Sequence, residues 1–278
     1  MSAAETYAAC INAVNAQRRR VYGQPPGEDL WGGPLAQLFR FDPHRELDAN
    51  LKIAASYVQA EDVLVDVGGG AGRVGLPLAL RCREVINVEP SAAMGEQFEA
   101  SAEEAGITNA RLVKATWEDA DGIQGDVAMS ADVAYFVQDI VPFIRKLEAA
   151  ARRRVMITIW SVPPPHADAE LFRIVYGEPQ AVVPGHRQLL PVLWELGILP
   201  DVRVMPRSRW WDTGLPKLRK EALEFALGGR WLRPEDRPRA RKQYIAHFGK
   251  LFKQTAEGFL PLWRADEREL LVTWEPGP

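Results

Sequence analysis

Residues 63–73, Val-Leu-Val-Asp-Val-Gly-Gly-Gly-Ala-Gly-Arg, constrain this chain more than any other segment. Val63, Leu64 and Val65 form a short apolar run that reads as a buried parallel strand. The run ends in a carboxylate, Asp66, and breaks into a glycine-rich turn that opens a helix. Gly68, Gly70 and Gly72 carry no Cβ, so backbone N–H groups there can approach a ligand closely. Asp66 adds a negative acceptor where an ammonium group can sit, so a phosphate alone does not account for the turn.

Strands and helices alternate from this point. Strands are expected at 62–67, 85–89, 110–114, 126–130 and 155–160, with helices at about 72–82, 92–105 and 138–151. Such alternation gives a parallel sheet covered on both faces, with the strand C-termini along one edge where ligands bind. Ahead of it lie a helix at 4–20, a loop-like stretch at 22–43 and a helix at about 44–58. The loop-like stretch holds Pro25, Pro26, Gly27, Gly32 and Gly33 but also Leu30, Trp31, Leu35, Leu38 and Phe39, so it packs on something. After Trp160 come helices at 168–176 and 185–196, a strand at 202–211, and helices at about 215–228 and 235–256. A last strand at 269–274 joins the preceding one as an antiparallel pair closing the sheet.

The bulk numbers exclude several classes. With 278 residues and a formal charge of −3, the chain is long enough for one large α/β domain with insertions. No apolar run approaches the roughly 18–20 residues of a membrane span, and the N-terminus lacks a secretory pattern. Cys10 and Cys82 read as small core fillers, too few for a disulfide framework or a zinc site, which suits a cytoplasmic location. Charge is uneven: fourteen Lys/Arg stand against five Asp/Glu between Arg203 and Lys253. That excess reads as a solvated helical face or as a patch for an anionic partner.

The acid at the end of the first strand, the turn Gly68-Gly69-Gly70-Ala71-Gly72, and Glu89 closing the second strand 23 residues after Asp66 carry a resemblance. Over residues 60–160 the chain resembles the class I methyltransferases that use S-adenosyl-L-methionine (SAM) and release S-adenosyl-L-homocysteine. The resemblance implies a Rossmann-like, seven-stranded, mostly parallel sheet with helices on both faces and an antiparallel last strand. It implies a single domain over 1–278: a helical cap at 1–60, a SAM-binding core at 61–160, and an acceptor-side region with the closing strands and a helical insertion at 161–278.

By that resemblance Asp66 holds the methionine ammonium, and the turn from Gly68 through Gly69 and Gly70 to Gly72 passes beneath methionine and ribose. Glu89 accepts from both ribose hydroxyls, and Pro90, Ser91 and Met94 shape the adenine corner. The adenine contact after the third strand falls on Thr116 and Trp117, where the usual acid is displaced to Glu118 and Asp119. Ser130 and Ala131 run under the methionine part, with Asp132 and Tyr135 facing the reaction cleft; Asp132 also fits a helix cap. The match of Gly70-Ala71-Gly72-Arg73-Val74-Gly75 to a dinucleotide fingerprint is a lone one, preceded by an acid and two earlier glycines.

The implied reaction is an in-line methyl transfer to a small-molecule acceptor without a metal. Trp160, Tyr176, Trp210, Trp211 and Trp231 are candidates for a cavity wall, and His166, His186 and Tyr135 are candidate catalytic groups. The implied protein acts as a monomer or homodimer, apart from nucleic acid and membrane. Two other readings stay open: an RNA methyltransferase, or a SAM-binding regulator without turnover.

Overall fold

The computed structural model describes residues 1–23, 31–32, 34–207, 214–229, 231–264 and 267–277. Its strands are β1 (Val63–Val67), β2 (Glu84–Val88), β3 (Ala110–Val113), β4 (Gly125–Ala131), β5 (Ala151–Trp160), β6 (Asp201–Val204), β7 (Phe252–Thr255), β8 (Gly258–Pro261) and β9 (Glu269–Trp274). The helices are α1 (Ala3–Tyr22), α2 (Pro34–Gln37), α3 (Ala49–Ala55), α4 (Gly75–Ala79), α5 (Ala92–Glu104), α6 (Ile140–Ala150), α7 (Ala169–Tyr176), α8 (His186–Glu195), α9 (Arg219–Leu227), α10 (Arg237–Ala246) and α11 (Phe248–Leu251).

Seven strands form one sheet in the order β3-β2-β1-β4-β5-β9-β6. β1 to β5 pair in parallel, and β9 runs antiparallel between β5 and β6. The expected Rossmann-like sheet with an antiparallel last strand is therefore the observed one. The chain works outward from β1 to β3 and then returns to β4, which makes the gap between β1 and β4 the topological switch point.

Both faces of the sheet are covered. Ile140, Phe143, Ile144 and Leu147 of α6 recur at helical spacing and are all buried, joined on that face by α1 and α8. Tyr7 of α1 donates its hydroxyl to the Ala134 carbonyl at 2.5 Å, tying the N-terminal helix to the segment after β4. The opposite face carries α3, α4 and α5 through Leu51, Leu76, Leu78 and Phe98. A further cluster around Leu171, Ala240, Tyr244 and Phe252 joins α7, α9, α10 and the β7–β8 hairpin.

Several element boundaries depart from expectation. α3 starts at Ala49 because the Asp48 carboxylate accepts the N–H groups of Asn50 and Leu51 and caps it there. The helix expected at 72–82 shrinks to Gly75–Ala79, since Gly72 sits at φ 83 and prolongs the turn. The strand expected at 202–211 ends at Val204, and residues 208–211 lie outside the described residues.

The largest correction concerns 235–256, which is not one helix but α10, α11 and then the hairpin strand β7. Phe248, Leu251 and Phe252 fit a helical period and a helix-to-strand corner equally well. The turn is set beyond them, where Thr255 pairs with Gly258 across a two-residue loop. Pro25, Pro26, Gly27, Leu30, Gly33, Trp210 and Trp211 also lie outside the described residues.

Candidate active site

The sheet order lays the candidate residues along one edge. Glu89 follows β2, Asp66 and the glycine turn close β1, and Asp132 follows β4. Trp160 ends β5, and Glu269 opens the antiparallel β9 directly opposite it.

Asp66 is 1% exposed, and among the described residues neither carboxylate oxygen meets a donor in good hydrogen-bonding geometry, the Gly75 N–H being a nearby but poorly aligned one. Burial pushes its pKa up to about 7; the nearby Glu89 charge adds to this, while Arg73 and the Gly75 N–H oppose it. Asn87, its register partner on β2, donates Nδ2 to the Gly70 carbonyl at 3.0 Å and leaves Oδ1 unpartnered. A Cβ on Gly69 would come within 2.5 Å of Asn87 Oδ1 and 2.6 Å of Asp66 Oδ2, so the turn passes directly over both acceptors. Gly68 sits at φ 69, and a Cβ there would come within 2.5 Å of Val133 Cγ2. A buried acid left this bare calls for a cationic donor.

Glu89 is held from two sides. Its Oε2 accepts the Gly70 N–H at 3.0 Å and its Oε1 the Ser91 N–H at 2.8 Å. These two backbone donors fix the carboxylate plane before any ligand arrives. Ser91 caps α5 by accepting the Met94 N–H at 3.2 Å. That places the Met94 sulfur 3.7 Å from where a Gly70 Cβ would stand, while Pro90 is exposed beside them.

The third-strand positions look different. Thr116 is exposed, and its hydroxyl donates to Asp119 Oδ2 at 2.8 Å. Trp117 turns its indole into the core to donate to the Phe143 carbonyl at 3.4 Å, with Lys146 Nζ 5.3 Å from the ring. Glu118 is exposed. A ligand contact by Trp117 is therefore left to its backbone.

Beyond β1 the site becomes a charged cluster. Ser130 is fully buried and donates to the Val67 carbonyl at 3.3 Å, holding β4 to β1 beside half-buried Ala131. Asp132 has φ 63, the one positive φ of a non-glycine among the described residues, a strained setting that gathers at functional sites. It caps no helix; its Oδ2 meets Arg73 Nη2 at 3.1 Å, and Tyr135 donates to its Oδ1 at 3.4 Å. Burial still raises the Asp132 pKa, opposed by Arg73, Tyr135 and the Trp160 indole.

Tyr135 also accepts the Trp160 N–H at 2.5 Å, and burial holds its phenol well above its ordinary pKa. Glu269 is 7% exposed and accepts Asn50 Nδ2 at 2.6 Å. Its pKa is pushed up to about 7 by burial and then by Asp132.

Sequence reasoning missed Glu269, Asn50 and the partner of Arg73. The available signal was an acid heading the apolar run Leu270-Leu271-Val272, which without register is indistinguishable from a solvated strand end. Of the histidines, His186 lies beside the Trp160 backbone, and burial lowers its pKa. His166 lies farther on, lining a cavity of about 450 Å³ with Glu170, Lys250 and Trp263; its Nδ1 has no partner, and burial lowers its pKa.

Residues 65–157 match the family model described as a methyltransferase domain. Among solved structures, the YcgJ protein of Bacillus subtilis aligns at TM-score 0.55 and 15% identity, covering 82% of this chain and 98% of that one. A SAM-dependent methyltransferase from Geobacter sulfurreducens, in complex with S-adenosyl-L-homocysteine, aligns at 0.52 and 16%, covering 85% and 93%. A geranyl diphosphate methyltransferase in complex with GPP and sinefungin aligns at 0.50 and 16%, covering 99% and 100%. At these identities the likeness is one of fold. No curated protein matches the sequence. Over residues 65–157 the chain carries a methyltransferase domain, set on the Rossmann-like sheet described above. The cofactor of such a domain is SAM.

Proposed function

We propose that this chain transfers the methyl group of SAM to a small-molecule acceptor, with the cofactor held along the β2–β1–β4 edge. The observation that carries this is Asp66, a bare buried carboxylate under a glycine turn, with a pre-oriented Glu89 on the next strand. Asp66 receives the methionine ammonium and Glu89 the ribose hydroxyls. Ser91 and Met94 border the adenine, with the backbone at Thr116, Trp117 and Glu118 on its far side. Gly68, Gly69, Gly70 and Gly72 let the turn lie against the ligand, and Ser130, Ala131 and Asp132 wall the methionine end. When bound, SAM supplies a methyl group activated by positive sulfur. The protein aligns the acceptor and excludes water. Calorimetry tests this: SAM and S-adenosyl-L-homocysteine should both bind, and NAD should not.

The small-molecule reading draws on the geranyl diphosphate enzyme that shares this fold, and on the fate of the basic stretch. Arg233 and Arg239 pair with Asp236, Arg241 pairs with Glu224, and Arg219 stacks over Phe248. Part of the charge of the stretch is thus met internally, which lessens what it can offer to phosphates. We expect tRNA to bind weakly and without a steep salt slope; tight, salt-sensitive binding would favour the RNA reading. No helix among the described residues is long and apolar enough to cross a membrane; a cytoplasmic location and a monomer or homodimer are part of the proposal.

The segment before α3 closes the site from above. Ala36, 1% exposed, packs with Ala71 and Met94, and Trp31 sets its ring edgewise to Phe39 and Phe136. This strap joins the adenine corner to the segment after β4. Its order should depend on the ligand. Amide exchange at 34–41 should slow when S-adenosyl-L-homocysteine is added, and an unchanged rate would count against a lid.

A further inference from the structure

The charged side chains of the edge fall into two groups. Glu89 and Asp66 belong to the cofactor reading, whereas Asp132 and Glu269 lie farther along, after β4 and at the head of β9. Asp132 walls the methionine end of the cofactor, whereas nothing in cofactor binding needs Glu269. Glu269 is faced by Asp132 from the loop after β4, by Arg73 from the glycine turn, by Asp48 and Asn50 at the start of α3, and by Tyr135. Arg73 is the cation in this set, and it is committed to Asp132.

A second observation marks the place as a ligand site. Asn50 Oδ1 and Thr158 Oγ1 belong to residues 5% and 3% exposed, and neither atom has a hydrogen-bond partner among the described residues. Thr158 lies two residues before Trp160, the register partner of Glu269, so Thr158 and Glu269 look to the same side of the sheet. Asn50 is the residue that grips Glu269. Bare polar atoms and a buried acid thus converge beyond the methionine end of the cleft.

We propose that Glu269 is the proton-accepting group for a hydroxyl-bearing acceptor, and that it ionises when a sulfonium charge enters the cleft. The inference rests on the cofactor reading above. On transfer the acceptor's O–H bond breaks and the proton moves to a Glu269 oxygen. The acceptor oxygen forms the new O–CH₃ bond as the S–CH₃ bond breaks, and that electron pair returns to sulfur, leaving it neutral. Asn50 and Tyr135 are positioning residues: one orients the Glu269 carboxylate, the other Asp132. Loss of the positive charge at sulfur then lets Glu269 hold its proton until product leaves.

The cofactor and its product share the ammonium that meets Asp66 and differ in charge at sulfur, so the difference between them reports the acids nearest sulfur, Asp132 and Glu269, which a Glu269 variant separates. Calorimetry near pH 7, in buffers of different ionisation enthalpy, should show SAM releasing more protons than S-adenosyl-L-homocysteine, by up to about half a proton per site. Glu269→Gln should abolish the difference. Equal release by the two ligands, or a difference that survives Glu269→Gln, overturns the assignment.

Infrared difference spectra of the wild type give the same answer without a variant. Beyond the band that both ligands remove through Asp66, a second protonated-carboxyl C=O band should be lost with SAM and kept with the product, and no such additional loss overturns it. Offered a mixture of phenols, alcohols, amines and thiols, the wild type should form methyl ethers, and Glu269→Gln should lower kcat at least tenfold with the KM for SAM unchanged. Absence of any methyl ether overturns the hydroxyl assignment. Failure of both ligands to bind would instead overturn the cofactor reading, and this proposal with it.

Discussion

Asp66→Ala should weaken SAM binding by about 2–3 kcal/mol, roughly 30-fold to 150-fold, when titrated calorimetrically at pH 7.5. The wild-type carboxylate is buried, unpartnered and beneath the turn, so an ammonium arriving there forms charge-assisted hydrogen bonds in a place where water screens little. Removing it leaves that cation in a hole without a counter-charge. Asp66→Asn separates charge from shape, since the amide keeps an oxygen acceptor and loses the charge; most of the affinity should still go.

Stability should move the other way. The apo protein carries an unpaired buried acid, so both variants should unfold at higher denaturant than the wild type. Glu89→Ala makes the contrast. It also costs affinity, but it strands the N–H groups of Gly70 and Ser91, so affinity and stability should fall together. An Asp66→Ala protein that binds SAM as tightly as the wild type would remove the foundation of the cofactor reading.

What the sequence disclosed, and what it withheld, follows the range of the interactions involved. Asp66, Gly68 to Gly72, Glu89 and Ser91 are legible because one strand–turn–helix unit and the next strand end present them in fixed chain order. The sheet is legible for the same reason: each crossover has a fixed hand, so strand order follows from alternation. Glu269 is not legible, because its place beside Trp160 depends on an antiparallel return more than a hundred residues later. Asn50 reads as an ordinary helical polar residue until α3 is packed beneath that strand. The hairpin at 252–261 was hidden by a pattern, Phe248, Leu251 and Phe252, that a helix and a corner share. Asp132 fits a helix cap by position, and only its left-handed backbone and the nearby Arg73 show where its carboxylate goes.

The same bare acid sets how apo stability runs with pH. Asp66 stands at about 7 in the folded protein against an ordinary value of 3.8, so the native state holds a proton that the unfolded chain has released. Its contribution is complete below pH 3.8 and is lost as pH rises through about 7. Between pH 5.5 and 8 the wild type should lose about 2 kcal/mol that Asp66→Asn retains, measured by urea unfolding at each pH. His166 and His186, whose pKa values fall on folding, act in the opposite sense below their ordinary value of 6.5. They are present in both proteins, as is Glu269, so they cancel in the difference. Saturating SAM should flatten the wild-type curve as well, because an ammonium partner favours the ionised carboxylate. Parallel curves for the wild type and Asp66→Asn in the absence of the cofactor would mean that Asp66 is already paired and the cleft has no vacancy for a cation.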